Sequence, residues 1–183
     1  MDMKRKYVNL VITGNPGVGK HTIAELFVKY DSSYQIFDIS KFAIEKGFGE
    51  QIEDGIEIDT RKTKNHIQKL DLVKTLIVGH LAPYVLDESD IDLVIILRKN
   101  PYDLVEIYKK RNYQDSKIKQ NAGSEILGVI ANDSIASFGK EKSFEIDATN
   151  KTPKIILGEI QNIINNQNGG DMVDWLRLVE EKN

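Results

Sequence analysis

Apolar residues in this chain fall into two rhythms. Short, mostly β-branched runs are bounded by glycine, asparagine, aspartate or serine, and they alternate with longer stretches whose apolar residues recur every three or four positions. The first kind reads as strands buried on both faces, the second as amphipathic helices. The pattern predicts strands near residues 7–12, 34–39, 74–79, 91–97 and 142–147. Helices are predicted near 20–30, 41–47, 60–70, 101–111, 116–138, 153–166 and 172–181. Alternation of this kind implies βαβ units and a parallel sheet, because parallel neighbours need a crossover connection. Pro101 suits the first turn of its helix, where a missing N–H is no loss, and Asp171 after Gly169-Gly170 is placed as an N-cap. The polar stretch 165–170 is a short hinge, not a domain boundary, and no internal repeat is visible. One α/β domain spanning 1–183 is expected.

The first βα step carries the chemistry. Val8, Leu10, Val11 and Ile12 form an apolar run that stops at Gly14, and a helical pattern begins with Ile23, Ala24, Leu26 and Phe27. Between them lies Gly14-Asn15-Pro16-Gly17-Val18-Gly19-Lys20, the strand–GxxxxGK–helix arrangement of a P-loop. Its backbone amides, from Asn15, Gly17, Val18 and Gly19, point inward at a phosphate chain. The helix N-terminus adds the positive end of its dipole, and Lys20 reaches the β- and γ-phosphates. A nucleoside triphosphate is the expected ligand. Where most P-loops have a Ser or Thr whose hydroxyl holds Mg²⁺, this chain has His21, followed by Thr22. His21 either contacts a phosphate or is an exposed residue at the start of a helix.

Composition excludes several classes. At 183 residues the chain is long enough for a full core, and a net charge of −3 gives no global basic field for nucleic acid. With no cysteine there is no disulfide framework, zinc-thiolate site or thiol nucleophile. No apolar stretch approaches the roughly 20 residues of a membrane span, and no apolar signal region precedes the first strand, so a cytoplasmic location without membrane partners is expected.

Ligands of open parallel sheets sit beyond the carboxyl ends of the strands. That places Asp38 and Lys41, His80, Arg98 and the segment Asp147 to Lys151 near the site. Phosphate clamping favours arginine's planar fork, and the chain has five arginines against twenty lysines. Arg5 and Arg177 read as surface charges, which leaves Arg61, Arg98 and Arg111. Arg111 ends a helix just before Asn112, a residue that tolerates positive φ, so it either sits on a small lid over the phosphates or stabilises the helix dipole. His80 either orients a water or a phosphate, or caps the next turn.

Arg111-Asn112-Tyr113 followed by Lys117, Asn121 and Glu125 resembles the lid motif RGYxxxKxxxNxxxE. That motif marks the small adenylate-kinase-like ATPases of archaea and eukaryotic nuclei, known in animals as adenylate kinase isoenzyme 6. The P-loop, Ile95-Ile96-Leu97-Arg98 with Asn100-Pro101, Glu145 to Thr149 with Pro153, and Asp174-Trp175-Leu176 are similar to the same family; Gly79 to Ala82 has its archaeal form. The resemblance covers nearly the whole chain. It implies a P-loop fold with strand order 2-3-1-4-5, a monophosphate-binding region about 38–66 and a lid about 110–121. It implies phosphoryl transfer between ATP and AMP, ATP hydrolysis, and a late role in maturation of the small ribosomal subunit with a platform ribosomal protein. The same family implies Lys20, Arg111 and His80 as catalytic residues, with Thr22 and His21 beside the phosphates and Lys151 near the adenine. Asp38, Arg61 and Arg98 are the expected acceptor residues.

Three departures stand out. The Asp and Arg that nucleotide kinases carry after strand 2 correspond to Lys41 and Ile44, and the carboxylate expected after strand 3 is Val78. Asn112 replaces the lid glycine. Mg²⁺ is therefore expected through water, without a direct protein ligand. A nucleotide-switched assembly factor with ATPase but little kinase activity is the alternative reading.

Overall fold

The computed structural model describes residues 9–53 and 55–180. Five parallel strands form the central sheet: β1 (Asn9–Thr13), β2 (Gln35–Asp38), β5 (Thr75–Val78), β6 (Leu93–Arg98) and β7 (Ser143–Asp147). Their spatial order is β2-β5-β1-β6-β7, which is 2-3-1-4-5 when only sheet strands are numbered, as expected. In the central register Val11 lies beside Ile77 on one side and Val94 on the other.

Side-chain alternation along these strands divides the core in two. Leu10, Ile12, Leu76, Val78, Ile95 and Leu97 pack on one face, against α1 (Lys20–Tyr30), α5 (Pro101–Lys110) and α8 (Pro153–Asn166). Val11, Ile77, Val94 and Ile96 pack on the other, with α2 (Ile39–Glu45), α3 (Thr60–Ile67), α4 (Ala82–Val85) and α7 (Val129–Phe138). Both faces of β1, β5 and β6 are covered, which is why those strands are continuous apolar runs without polar alternation. Pro101 occupies the first turn of α5 behind the cap Asn100, whose side chain accepts from Tyr102 N at 3.0 Å. No helix among the described residues is long and apolar enough to cross a membrane.

Three local differences separate the structure from the sequence expectation. The helix expected over 116–138 is two, α6 (Asp115–Ile126) and α7, divided at Gly128, whose φ of 63° suits a residue without a side chain. A hairpin, β3 (Gly49–Ile52) with β4 (Gly55–Ile58), fills a region that had no predicted strand. Its signal was the Asp-Gly step at 54–55 between short apolar-alternating runs. Asp171 does not cap the terminal helix α9 (Trp175–Glu180); its carboxylate accepts instead from Asp147 N on β7 at 2.8 Å. An arm before α9 thus ties to the edge of the sheet. Residues 7 and 8 of the first predicted strand, residue 181 of the last predicted helix, and Arg5 lie outside the described residues.

Candidate active site

The turn from β1 into α1 wraps around an open centre. Gly14 has φ 131°, and a Cβ there would stand 2.2 Å from the carbonyl oxygen of Leu97, so no larger residue fits between the loop and β6. Lys20 begins α1, and its Nζ folds back to donate to the carbonyls of Gly14 and Asn15, both at 2.8 Å. Burial, with the Arg111 charge as a second cause, lowers the Lys20 pKa to about 7. The side chain of Val18 turns into the core and leaves only its backbone to the loop.

The P-loop is braced from the α5–α6 side. Tyr108 on α5 donates its hydroxyl to Pro16 O at 2.7 Å, and its ring stacks on Tyr113 with centroids 5.5 Å apart. Arg111 closes α5, and Asn112 follows with φ 55°, the positive value its sequence allows. Arg111 thereby reaches the same cavity as Lys20. This cavity, about 690 Å³, lies over the carboxyl ends of the strands and is lined by Asn15, Gly17, Gly19, Lys20, His80 and Arg111 among others. Burial, and then the charge of Lys20, lower the His80 pKa to about 4, so its imidazole is neutral at pH 7.

The rest of the cavity wall was only partly legible from the sequence: Lys117 and Asn121 stand in the lid motif, but the hairpin beside them had no predicted strand. Ile52, Ile56 and Glu57 of the hairpin line this wall, with Tyr84 on α4, Tyr113 in the connection before α6, and Lys117, Gln120, Asn121 and Ser124 along α6. The hairpin's turn signal and the Lys117–Asn121–Ser124 spacing on one helix face were the available clues. An adjoining recess of about 640 Å³ runs between α2 and β4, past Ser40, Ile44, Ile56, Thr60, His80 and Tyr84.

Other sequence candidates stand elsewhere. His21 is exposed and its Nε2 lies 2.6 Å from Asp38 Oδ2, while Asp38 Oδ1 caps α2 by accepting from Lys41 N. His21 and Thr22 nevertheless border the cavity. Arg61 is exposed on α3 and lines neither space. Lys151 is engaged by Glu159 at 2.8 Å and Asp171 at 3.1 Å, away from the cavity. The acceptor position expected for Arg98 needs correction. Its guanidinium is only 3% exposed and points back into the fold: Nε donates to Glu125 Oε1 at 2.8 Å, Nη2 to Glu125 O, and Nη1 pairs with Glu145.

Glu125 is the centre of that knot. Fully buried, it also accepts from Asn15 Nδ2 at 2.7 Å and from Trp175 Nε1 at 2.9 Å. One carboxylate therefore joins the P-loop, the end of β6 and the terminal helix. Removing one partner of a buried pair leaves an uncompensated charge, which costs about 3–5 kcal/mol. Arg98→Met is expected to lower unfolding free energy by about that amount in urea titrations. An unchanged midpoint would return Arg98 to the list of substrate ligands.

The sequence model of the AAA domain family matches residues 10–128. A Pyrococcus furiosus protein named "Putative adenylate kinase" is 35% identical over 176 residues, covering 94% of this chain and 93% of that one. A protein of the same name from Saccharolobus islandicus is 33% identical over 170 residues, covering 91% and 87%. Among solved structures, a shikimate kinase from Bacteroides thetaiotaomicron superposes with a TM-score of 0.58 at 17% identity, over 86% of this chain and 98% of that one. A thymidylate kinase from Candida albicans gives 0.52 at 14% identity, over 92% and 98%. These two share the fold. Alignment from end to end at about a third identity is a closer relation, and it makes this chain a member of the archaeal adenylate-kinase-like family of P-loop proteins.

Proposed function

We propose that the protein is a nucleoside monophosphate kinase of the adenylate kinase type, transferring the γ-phosphoryl group of ATP to AMP. The observation that carries this reading is the convergence of Lys20, Arg111 and the P-loop on one cavity with a recess beside it. The P-loop amides and Lys20 hold the β- and γ-phosphates, and Thr22 borders the α-phosphate. An oxygen of the AMP phosphate attacks the γ-phosphorus in line, the bond to the β-bridging oxygen breaks, and two ADP molecules leave. Arg111 and Lys20 offset the charge that builds on the transferred group and the leaving oxygen. No protein nucleophile is needed. With AMP absent, water in the acceptor place gives ATP hydrolysis, and neutral His80 can orient it. The adenine of ATP would lie along the backbone of 149–151, where the Thr149 hydroxyl accepts from Asn100 N at 2.8 Å.

Magnesium enters as the ATP complex. Val78 is buried and apolar, His21 is turned to Asp38, and no group of three metal-binding side chains occurs among the described residues. The residues present do not form a protein-held Mg²⁺ site, so no step is assigned to one.

A coupled assay for ADP from ATP and AMP tests the proposal. ADP formation that AMP does not accelerate would overturn it. The Lys20 pKa adds a signature: phosphates restore the ammonium charge, so the pKa rises from about 7 on binding. Between that value and the raised one, binding takes up a proton, and affinity weakens as pH rises. At pH 8, calorimetry in buffers of different ionisation enthalpy is expected to give an uptake approaching one proton, lost in Lys20→Met.

A second reading keeps the nucleotide site and drops the acceptor: an assembly factor for the small ribosomal subunit, switched by ATP and binding a platform ribosomal protein. The absence of arginine from the recess walls among the described residues favours it. Retention of a small-subunit ribosomal protein that depends on ATP, without AMP turnover, would establish it over the kinase.

A further inference from the structure

An acceptor nucleotide brings a phosphate dianion, and the recess that would take it offers no arginine. Ile44 occupies the expected place with 47% of its surface exposed, Arg61 lines neither space, and Arg98 is locked onto Glu125 and Glu145. Holding a dianion beside an ATP γ-phosphate without a cation is untenable, because the two repel at close range in a partly desolvated cavity. The cavity must supply one from another wall.

That wall is α6. Lys117, Gln120, Asn121 and Ser124 all line the cavity, and their 3-1-3 spacing puts them on one face of the helix. Lys117 projects across the cavity mouth: its Nζ lies 4.6 Å from the Tyr113 ring centroid and 2.9 Å from where a Cβ on Gly55 would stand. It therefore reaches from α6 to the neighbouring hairpin. One turn further along α6, Asn121 Nδ2 is buried and has no hydrogen-bond partner. A buried donor without an acceptor is costly, and one in a cavity wall marks where a ligand oxygen belongs. His80 lines the same cavity as Lys20 and Lys117. Donor phosphates belong to Lys20; the second cation has no donor-side task.

We propose that Lys117 and Asn121 form the acceptor-phosphate subsite, the ammonium countering the dianion and the Asn121 amide donating to one of its oxygens. The inference rests on the kinase reading and deepens it. The acceptor cation comes from the helix after Arg111 and not from α2. Movement of this helix toward the hairpin would then bring Arg111 and Lys117 onto their phosphates together, coupling acceptor capture to completion of the charge set.

The test is the split between the two Michaelis constants, measured with AMP and ATP varied in turn for Lys117→Met, Asn121→Leu and Lys117→Arg. Lys117→Met is expected to raise KM for AMP at least tenfold and Asn121→Leu about fivefold, while KM for ATP moves less than twofold. Lys117→Arg, which keeps the charge, is expected to recover KM for AMP to within threefold of the native value. Thermal melts of all three variants establish that they fold. If a variant does not fold, AMP titrations by calorimetry of the milder Lys117→Gln and Asn121→Ser, in the presence of a non-hydrolysable ATP analogue, give the same comparison. Native protein that turns over AMP while these variants keep KM for AMP within twofold would overturn the subsite alone. Native protein that neither binds nor turns over AMP would overturn the kinase reading, and the subsite with it.

Discussion

Lys20→Ala is expected to abolish phosphoryl transfer, with turnover falling by at least about 10³-fold and ATP binding weakened. The lysine is the buried cation of the loop, and its ammonium is held by the Gly14 and Asn15 carbonyls. Those carbonyls are ready to release it to phosphate oxygens that carry full charge. The variant should nevertheless fold. A lysine whose native pKa is about 7 is costly to the native state, because the unfolded chain holds that proton up to about 10.5. Between those two values the unfolded state binds more protons, so native stability rises with pH, and the cost is greatest below pH 7. Removing the group removes this cost. Thermal melts at pH 7 are expected to place Lys20→Ala at or above the native protein, and coupled assays on the same preparation to find no AMP-dependent ADP. A folded variant with native turnover would remove Lys20 from the mechanism.

Arg111→Ala is expected to separate binding from chemistry. Arg111 is exposed at the end of α5, followed by Asn112 in a positive-φ turn, so it has freedom that Lys20 lacks. In the proposed mechanism its full contact with the γ-phosphate would come only when the segment closes over the nucleotide. ATP affinity should stay within about tenfold, or about 1.4 kcal/mol. Turnover should drop by about two orders of magnitude or more, in line with arginines that neutralise a transferring phosphoryl group. Calorimetry and the coupled assay on one preparation check both numbers. Native turnover in Arg111→Ala would leave the arginine as a helix-end charge stabilising the α5 dipole.

Why some positions were legible from the chain and others were not follows from the range of the interactions. The P-loop is local: glycines, lysine and the flanking apolar run occupy consecutive residues, and the loop's geometry follows from backbone freedom at Gly14. The turn after Arg111 was legible because Asn112 tolerates positive φ, but the choice between a cavity residue and a helix-end charge was not. Arg98 was misplaced because its residue type and its position at the end of β6 fit two fates equally well. Which one it meets depends on Glu125 and Glu145, 27 and 47 residues away. Asp38 and His21 likewise found each other across 17 residues of chain. Their pairing, unlike a motif, leaves no mark in either local sequence.

By itself, the sequence determined the alternation of buried strands and amphipathic helices, and with it the parallel sheet and the phosphate-binding turn at its first strand. Periodicity and turn chemistry act over a few residues, so they are written where they act. Tertiary structure alone decided which arginine faces the cavity and which is buried. It also decided that Glu125 ties the loop to the terminal helix, and that the hairpin and one face of α6 close the site's far wall. Those outcomes depend on packing between distant segments and on which charges can be desolvated together, and only the folded chain brings the partners within range.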